Sequence, residues 1–241
     1  MKNVIIIQAR MGSSRLPGKV LMPLGDSCVL DYVVSRCQRV PEVDEVIVAT
    51  SKLGQDDPIA AWCADHGVPC CRGSEEDVLA RYVEAAAPYA PDYVIRVTAD
   101  CPFVDYELAG LIIAAMASSP SDLVVIRGEL PRGLTVEMIA YEALKRIDSV
   151  GREPRHREHV TYYAYEFPDQ FRQTALEVPP ALRYPKLRIT LDTEEDYALC
   201  RAVAEAFPGD KFVSSSKVVD YLNRHPEIAE LNAHIVQKPV V

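Results

Sequence analysis

The segment "IIIQARMGSSRLPGKVLMPLGD", residues 5–26, begins as an apolar β-type run and empties into a Gly/Ser/Pro turn carrying Arg10, Arg15 and Lys19, before a helical pattern opens at residue 29. An apolar run bounded by a glycine turn and followed by an amphipathic helix reads as a strand buried on both faces of a parallel sheet. The unit recurs outward along the chain. Candidate strands at residues 3–8, 45–50, 68–72, 93–98 and 122–127 alternate with candidate helices at 29–39, 57–66, 76–87 and 106–117. That alternation predicts an α/β fold with helices on both faces of a parallel sheet. After about residue 128 the rhythm changes. A Gly-Glu-Leu-Pro-Arg-Gly turn precedes a strand at 134–139 and a helix at 141–148, so the sheet is expected to become mixed. Further on, 155–166 reads as one helix, 172–178 as extended, 187–191 as a strand, and 214–222 and 226–233 as short helices. Asp105 and Thr193 are placed to cap the helices that follow them, and Glu194, Glu195 and Asp196 suit the positive end of a helix dipole.

With 241 residues, 49% of them hydrophobic, the chain can bury one large core, so a single globular domain is expected. Acidic residues outnumber basic ones by 35 to 26, for a formal net charge of -9. That balance argues against a broad nucleic-acid or anionic-membrane surface and makes a local basic cluster more informative. The short apolar run at the start is ended by Gln8 and Arg10, well before the length of a signal-peptide core, and no segment approaches the roughly 18 apolar residues of a membrane span. The seven cysteines show no C-x-x-C spacing, which fits reduced thiols in a cytoplasmic protein. Cys70 and Cys71 are neighbours on a candidate strand and would point to opposite faces, which disfavours a disulfide between them.

Ligands of parallel α/β sheets collect where strands end, so the residues after each strand carry the chemistry. After the first come residues 8–19, where Gly12, Ser13 and Ser14 let backbone N–H groups approach an anion and three cations supply charge. The combination suits a polyphosphate, and it matches neither G-x-G-x-x-G nor G-x-x-x-x-G-K-[ST]. Lys19 is expected in a solvent-reachable loop. Asp100 ends the strand at 93–98, where it could hold a hard cation against phosphate oxygens or serve a turn or helix cap. Asp192 ends the 187–191 run in the same manner. Ser74-Glu75-Glu76-Asp77 reads as a helix cap with an acidic first turn. His156 and His159 lie three apart with no third ligand in sequence, which suits a polar helix face better than a metal site. Trp62, Tyr162, Tyr163 and Tyr165 read as core or subunit contacts.

Taken together, residues 8–19, "RGSEEDVLARY" (72–82), "RVTADCPFVD" (96–105), "GLTVEMI" (133–139), "REHVTYY" (157–163) and "RITLDTEEDY" (188–197) resemble the spore-coat polysaccharide biosynthesis protein F group. That group belongs to the cytidylyltransferase family, with the CMP-KDO and CMP-sialic acid synthetases. The resemblance covers nearly the whole chain. It implies a three-layer nucleotide-diphospho-sugar transferase-like fold in one nucleotidyltransferase domain, with an elaboration around 128–186 for acceptor binding and homodimer formation. The implied activity is Mg2+-dependent attack of a sugar or sugar-acid hydroxyl on the α-phosphate of CTP, releasing pyrophosphate, in surface polysaccharide biosynthesis. By the same resemblance Arg10, Ser14, Arg15 and Lys19 contact the triphosphate, Ala9, Met11 and Gly12 lie along the nucleotide, and Asp100 and Asp192 bind the metal. Arg72, Ser74 and Arg81 would border the nucleotide, and Arg132, Glu137, Arg157, Glu158 and His159 the acceptor, with Arg132, Arg152, Arg155 and Arg157 as possible clamps for an acidic sugar. One departure is Thr98-Ala99-Asp100, where sugar-acid synthetases of the family often carry Gln-Gly-Asp. A glycosyltransferase using a finished nucleotide sugar is the second reading, but Asp100-Cys101-Pro102 lacks the second acid of a D-x-D motif. A non-catalytic nucleotide-binding protein is the third, and both strand-end acids argue against it.

Overall fold

The chain is described from a computed structural model over residues 1–237. In chain order the strands are β1 (Asn3–Gln8), β2 (Pro23–Leu24), β3 (Ser27–Cys28), β4 (Glu45–Ser51), β5 (Cys70–Gly73), β6 (Tyr93–Thr98), β7 (Leu123–Arg127), β8 (Glu137–Ala140) and β9 (Gln173–Glu177). The α-helices are α1 (Val29–Gln38), α2 (Asp57–Asp65), α3 (Val78–Ala86), α4 (Tyr106–Ser118), α5 (Tyr141–Val150), α6 (Pro154–Glu158), α7 (Tyr162–Glu166), α8 (Glu194–Ala206), α9 (Ser215–Arg224) and α10 (Pro226–Ala229). Seven strands form one sheet in the order β5-β4-β1-β6-β8-β7-β9, and β2 pairs with β3 in a small separate hairpin. All pairings in the large sheet are parallel except those of β8, which runs antiparallel to both β6 and β7.

The central strand explains the layering. Val4, Ile5, Ile6 and Ile7 are fully buried, because helices cover both faces of β1. Their side chains alternate between the layers: Ile5 and Ile7 pack with α1, α4 and α8, while Val4 and Ile6 pack with α3 and α5. Burying each such side chain contributes about 1.5–3 kcal/mol. Register then places the site, since Gln8 at the end of β1 is level with Ala49 on one side and Thr98 on the other. The loops leaving β1 and β6 therefore rise side by side.

The predicted mixed three-layer α/β fold is present, with several local differences. The expected strand at 187–191 is not one. Ile189 and Leu191 are buried, but the segment makes only a single bridge, Arg132 to Arg188, and a bond from Leu191 N to Asp100 O of 2.7 Å. Its would-be partner turns away at Gly133, whose φ is +99°. The single helix expected over 155–166 is two short ones, broken where buried Val160 adopts φ +39°. The adjoining Val160-Thr161 pair is weakly helical, and Thr161 instead donates to Glu137 at 2.9 Å. β5 starts at Cys70 because Pro69 cannot donate to a ladder. Asp105 and Thr193 do cap α4 and α8, the latter in a capping box with Asp196. Asp77, rather than Ser74, is the residue that caps α3, accepting from Ala80 N at 2.9 Å.

Gly133 is the tightest backbone approach in this arrangement. A Cβ there would lie 2.7 Å from Thr190 N and 2.8 Å from both the carbon and the oxygen of the Ile189 carbonyl, in a left-handed conformation. Gly133→Ala is expected to cost about 1–3 kcal/mol in urea unfolding. Gly54→Ala, where the nearest atom is a side-chain oxygen 3.8 Å away, should change stability by less than about 1 kcal/mol. Equal values for the two would show that the Gly133 contact is not constraining.

Candidate active site

The loop after β1 is shaped by its own backbone. Met11 O accepts from Ser13 N and Gly18 N, both at 2.9 Å, which folds residues 11–18 back on themselves. Gly18, at φ +73°, starts the single 3-10 turn Lys19–Leu21 and so aims Lys19 inward. Met11 N is held by Asp56 Oδ1 at 2.7 Å, and Ser51 Oγ secures the other oxygen of buried Asp56. Asp56 thus anchors the loop from the end of β4.

Lys19 is buried rather than solvent-reachable, with 8% of its surface exposed. Its ammonium donates to Asp100 Oδ2 at 3.1 Å, Asp192 Oδ1 at 2.8 Å and the Leu191 carbonyl at 2.7 Å. The flexible four-carbon stem of a lysine allows this reach, and the desolvated charge requires it. Around this contact, Arg15 and Arg188 approach Asp192 Oδ2 at 3.0 and 2.9 Å. Arg188 also donates to buried Asp196 at 2.8 Å and to Gln237 at 2.9 Å. Thr98 Oγ1 donates to Asp100 Oδ1 at 2.6 Å, and Thr190 Oγ1 to the Asp100 carbonyl at 3.1 Å. Burial alone would depress the Lys19 pKa, but the charges of Asp100 and Asp192 outweigh it and hold the pKa above its ordinary value. Burial would likewise raise Asp192, yet Lys19, Arg15 and Arg188 push it down to about 2.

Two adjoining cavities, of about 470 and 580 Å³, share Arg96, Thr98, Asp100, Asp192 and Gln237. The first is lined by Ala9, Arg10, Ser14, Arg15 and Lys19 of the β1 loop, with Glu158 and His159 opposite. The second is lined by residues 129–133, Thr135, Glu137 and Thr190. A recess of about 40 Å³ between Ala9, Arg10, Val78, Arg81 and Glu158 extends the first. Arg96 pairs with Glu137 and donates to Gln8 at 3.3 Å, so the charge of Arg96 is matched within the protein. Arg132 lines the second cavity, and among the described residues its guanidinium has no protein partner. Burial pushes the His159 imidazole pKa below its ordinary value.

The structure brings Arg10, Ser14, Arg15, Lys19, Asp100 and Asp192 to one place, with Arg132, Glu137, Glu158 and His159 around them. It does not bring Arg72, Ser74 or Arg157 to either cavity lining. Arg72 ties down the β4 loop through the Ser51 and Leu53 carbonyls and Asp57. Ser74 accepts from Asp77 N at 3.1 Å, and Arg81 braces that turn by donating to the Ser74 carbonyl at 2.6 Å. Arg157 is consumed by Asp77 and Asp148. Met11 and Gly12 shape the loop without lining either cavity. Of the proposed acid clamps, Arg152 bonds the Ser149 carbonyl and Arg155 pairs with Glu153 and Glu166, which leaves Arg132. His156 sits among Tyr162, Tyr163 and Phe167 against Glu166, and no group of three metal-ligating side chains occurs among the described residues. Sequence reasoning missed Arg96, Arg188, Thr98, Asp56 and Gln237. Arg96 and Arg188 left a trace, each as a charge inside a run otherwise read as a strand, Tyr93–Thr98 and residues 187–191.

The acid sensitivity of this centre has a definite sign. Asp192, lowered to about 2 in the folded chain against about 3.9 unfolded, stabilises the fold above about pH 4, and this is lost as pH falls towards 2. Lys19 runs the other way: its contribution is complete below about pH 10 and fades at higher pH. Asp192→Asn is expected to show a shallower fall in unfolding free energy between about pH 4 and 2 than the native chain, measured by urea titration. Equal slopes would place the acid sensitivity elsewhere.

Comparison with known proteins shows the family. The family model described as Cytidylyltransferase matches residues 4–226. The spore coat polysaccharide biosynthesis protein SpsF of Bacillus subtilis is 39% identical over 231 residues, 94% of this chain and 96% of its own. A 3-deoxy-manno-octulosonate cytidylyltransferase of Anaeromyxobacter dehalogenans is 31% identical over 183 residues, 67% of this chain and 72% of its own. The solved structure of a cytidylyltransferase from Leptospira borgpetersenii superposes with a TM-score of 0.89 at 30% identity, covering 99% of this chain and 100% of that one. No helix among the described residues is long and apolar enough to cross a membrane. A nearly full-length family match, on a chain whose strand ends assemble cations and acids around one cavity pair, means that the chain belongs to the cytidylyltransferase family of nucleotidyltransferases.

Proposed function

We propose that this enzyme transfers CMP from CTP to the hydroxyl of a sugar acid, with loss of pyrophosphate, to activate that sugar for surface polysaccharide. One observation carries the reading: Lys19, Asp100 after the end of β6 and Asp192 after the buried 187–191 segment meet on the floor shared by a cation-lined cavity and a second cavity. The triphosphate lies along Arg10, Ser14, Arg15 and Lys19 of the first cavity. The sugar occupies the second cavity with its carboxylate on Arg132, whose guanidinium has no protein partner among the described residues. An arginine fork recognises a carboxylate in two parallel bonds. The names of two relatives, a spore-coat polysaccharide protein and a cytidylyltransferase for a sugar acid, support the same assignment.

The donor set fits a hard divalent cation. Asp100 and Asp192 offer two carboxylates and no nitrogen or sulfur ligand, and Mg2+ is bound through one or two carboxylates completed by substrate phosphates and water. Cys101 is no competing ligand, because burial, reinforced by Asp100, pushes its thiol up to about 12. Bound by Asp100 and Asp192, the ion would neutralise phosphate charge and lower the pKa of the attacking hydroxyl. The protein's own part is positional and electrostatic, as displacement at phosphorus demands. Arg15 and Lys19 neutralise the phosphates, the β1 loop fixes their line, and Thr98 orients Asp100. The third part of the reading is pairing of two copies through residues 128–186, where Tyr165, Phe167 and Tyr184 are exposed; light scattering at the mass of one chain would remove it.

Two measurements test the reading. Pyrophosphate release from CTP should require a sugar acid and a divalent cation, stop with EDTA, and fall by at least about 100-fold in Lys19→Arg, which keeps the charge but not the geometry. Arg132→Ala should raise the acceptor KM at least about 10-fold while leaving the KM for CTP unchanged, the cost of losing one charge-assisted pair. An unchanged acceptor KM takes Arg132 off the carboxylate, and turnover on a nucleotide sugar instead of CTP replaces the reading with glycosyl transfer.

A further inference from the structure

The polar floor of the site is already charge-matched. Three acids, Asp100, Asp192 and Asp196, are in contact with three cations, Lys19, Arg15 and Arg188. The Lys19 ammonium has three donors and spends them on Asp100, Asp192 and the Leu191 carbonyl. The other oxygen of Asp192 is taken by Arg15 and Arg188, and the other oxygen of Asp100 by Thr98. A divalent cation approaching this centre alone meets no net negative field. It also has to evict a buried ammonium and leave it unpaired, which is costly.

We infer that Lys19 is a stand-in cation that must pass from Asp100 and Asp192 to the triphosphate before a divalent ion can bind them, so that metal and nucleotide bind as a pair. The inference rests on the metal and triphosphate assignments above. Lys19 is the cation suited to the exchange. Arg188 is locked by Asp196 and Gln237 and by the Asn232 amide on its carbonyl at 3.0 Å, so it stays. Lys19 lines the first cavity beside Ser14 and Arg15, and its flexible stem lets the ammonium turn from carboxylate to phosphate without moving the loop. A polyanion arriving there restores the charge balance that the incoming divalent ion would otherwise upset. Because linkage is reciprocal, the ion tightens nucleotide binding by the same factor as the nucleotide tightens the ion.

The test reads metal binding directly, with Mn2+ as the probe and its free concentration followed by electron paramagnetic resonance, on the purified chain. Without nucleotide, the native chain is expected to bind Mn2+ at least 10-fold more weakly than Lys19→Met or Lys19→Gln, each checked by thermal melting for a folded state. A non-hydrolysable CTP analogue should tighten Mn2+ binding to the native chain at least 10-fold beyond the uptake by the analogue itself, a measurement that needs no variant. The inference is overturned if the native chain binds Mn2+ alone as tightly as with the analogue, or as tightly as a folded Lys19 variant. In either case the metal assignment survives if Asp100→Asn and Asp192→Asn weaken that binding. Absence of bound Mn2+ from every form, analogue included, overturns the metal assignment and this inference with it.

Discussion

Lys19 Nζ lies within hydrogen-bonding distance of Asp100, Asp192 and the Leu191 carbonyl, although the two acids are 81 and 173 residues away in the chain. Holding those three together constrains everything around them. β1 and β6 must be neighbours in parallel register, so that Gln8 and Thr98 are level and their outgoing loops meet. The segment carrying Asp192 must then be brought over both, which the Arg132–Arg188 bridge and the bond from Leu191 N to Asp100 O achieve. A buried ion cluster is a weak source of stability, because desolvation cancels most of the Coulombic gain. The two apolar layers around β1 supply the stability, and the cluster is the polar load that they support.

The one inverted strand is what gives this centre a second chamber. β7 ends and β8 begins at the edge where β1 and β6 end, so residues 128–136 connect them as a loop standing on that edge. A parallel crossover would have carried the chain away through a helix. Instead the loop becomes a wall, with Arg132 turned to the cavity and Glu137 matched to Arg96. Gly133 lets the wall approach residues 189–190 closely enough to fix Asp192 behind it. The shape of the second cavity and the position of the second acid therefore have a common cause.

Much of this was legible from periodicity. The strands at 3–8, 45–51 and 93–98 and the helices after them were visible because a buried parallel strand is apolar throughout and a covering helix is not. The cations of residues 10–19 and the acids after two apolar runs were visible because ligands sit at strand ends. Other features misled for identifiable reasons. The run at 187–191 alternates as a strand does, yet its partner bends away after one residue. Arg72, Arg155 and Arg157 read as ligand groups, and each is satisfied by carbonyls or carboxylates from elsewhere in the fold. A basic residue in one dimension carries no mark of whether its charge is already spent.

The linear pattern was sufficient for the class of fold, the order of the large sheet's strands and of the helices through the first half though not the β2–β3 hairpin, the two caps at Asp105 and Thr193, and the loop and acids that make the centre. Those are local properties, set by side-chain period and by hydrogen-bonding groups within a few residues. Which cations face an open cavity, and that Lys19 is buried between two carboxylates instead of reaching into solvent, was decided by tertiary structure alone. Ion pairs depend on distances across three chain segments, and only packing brings those segments within reach.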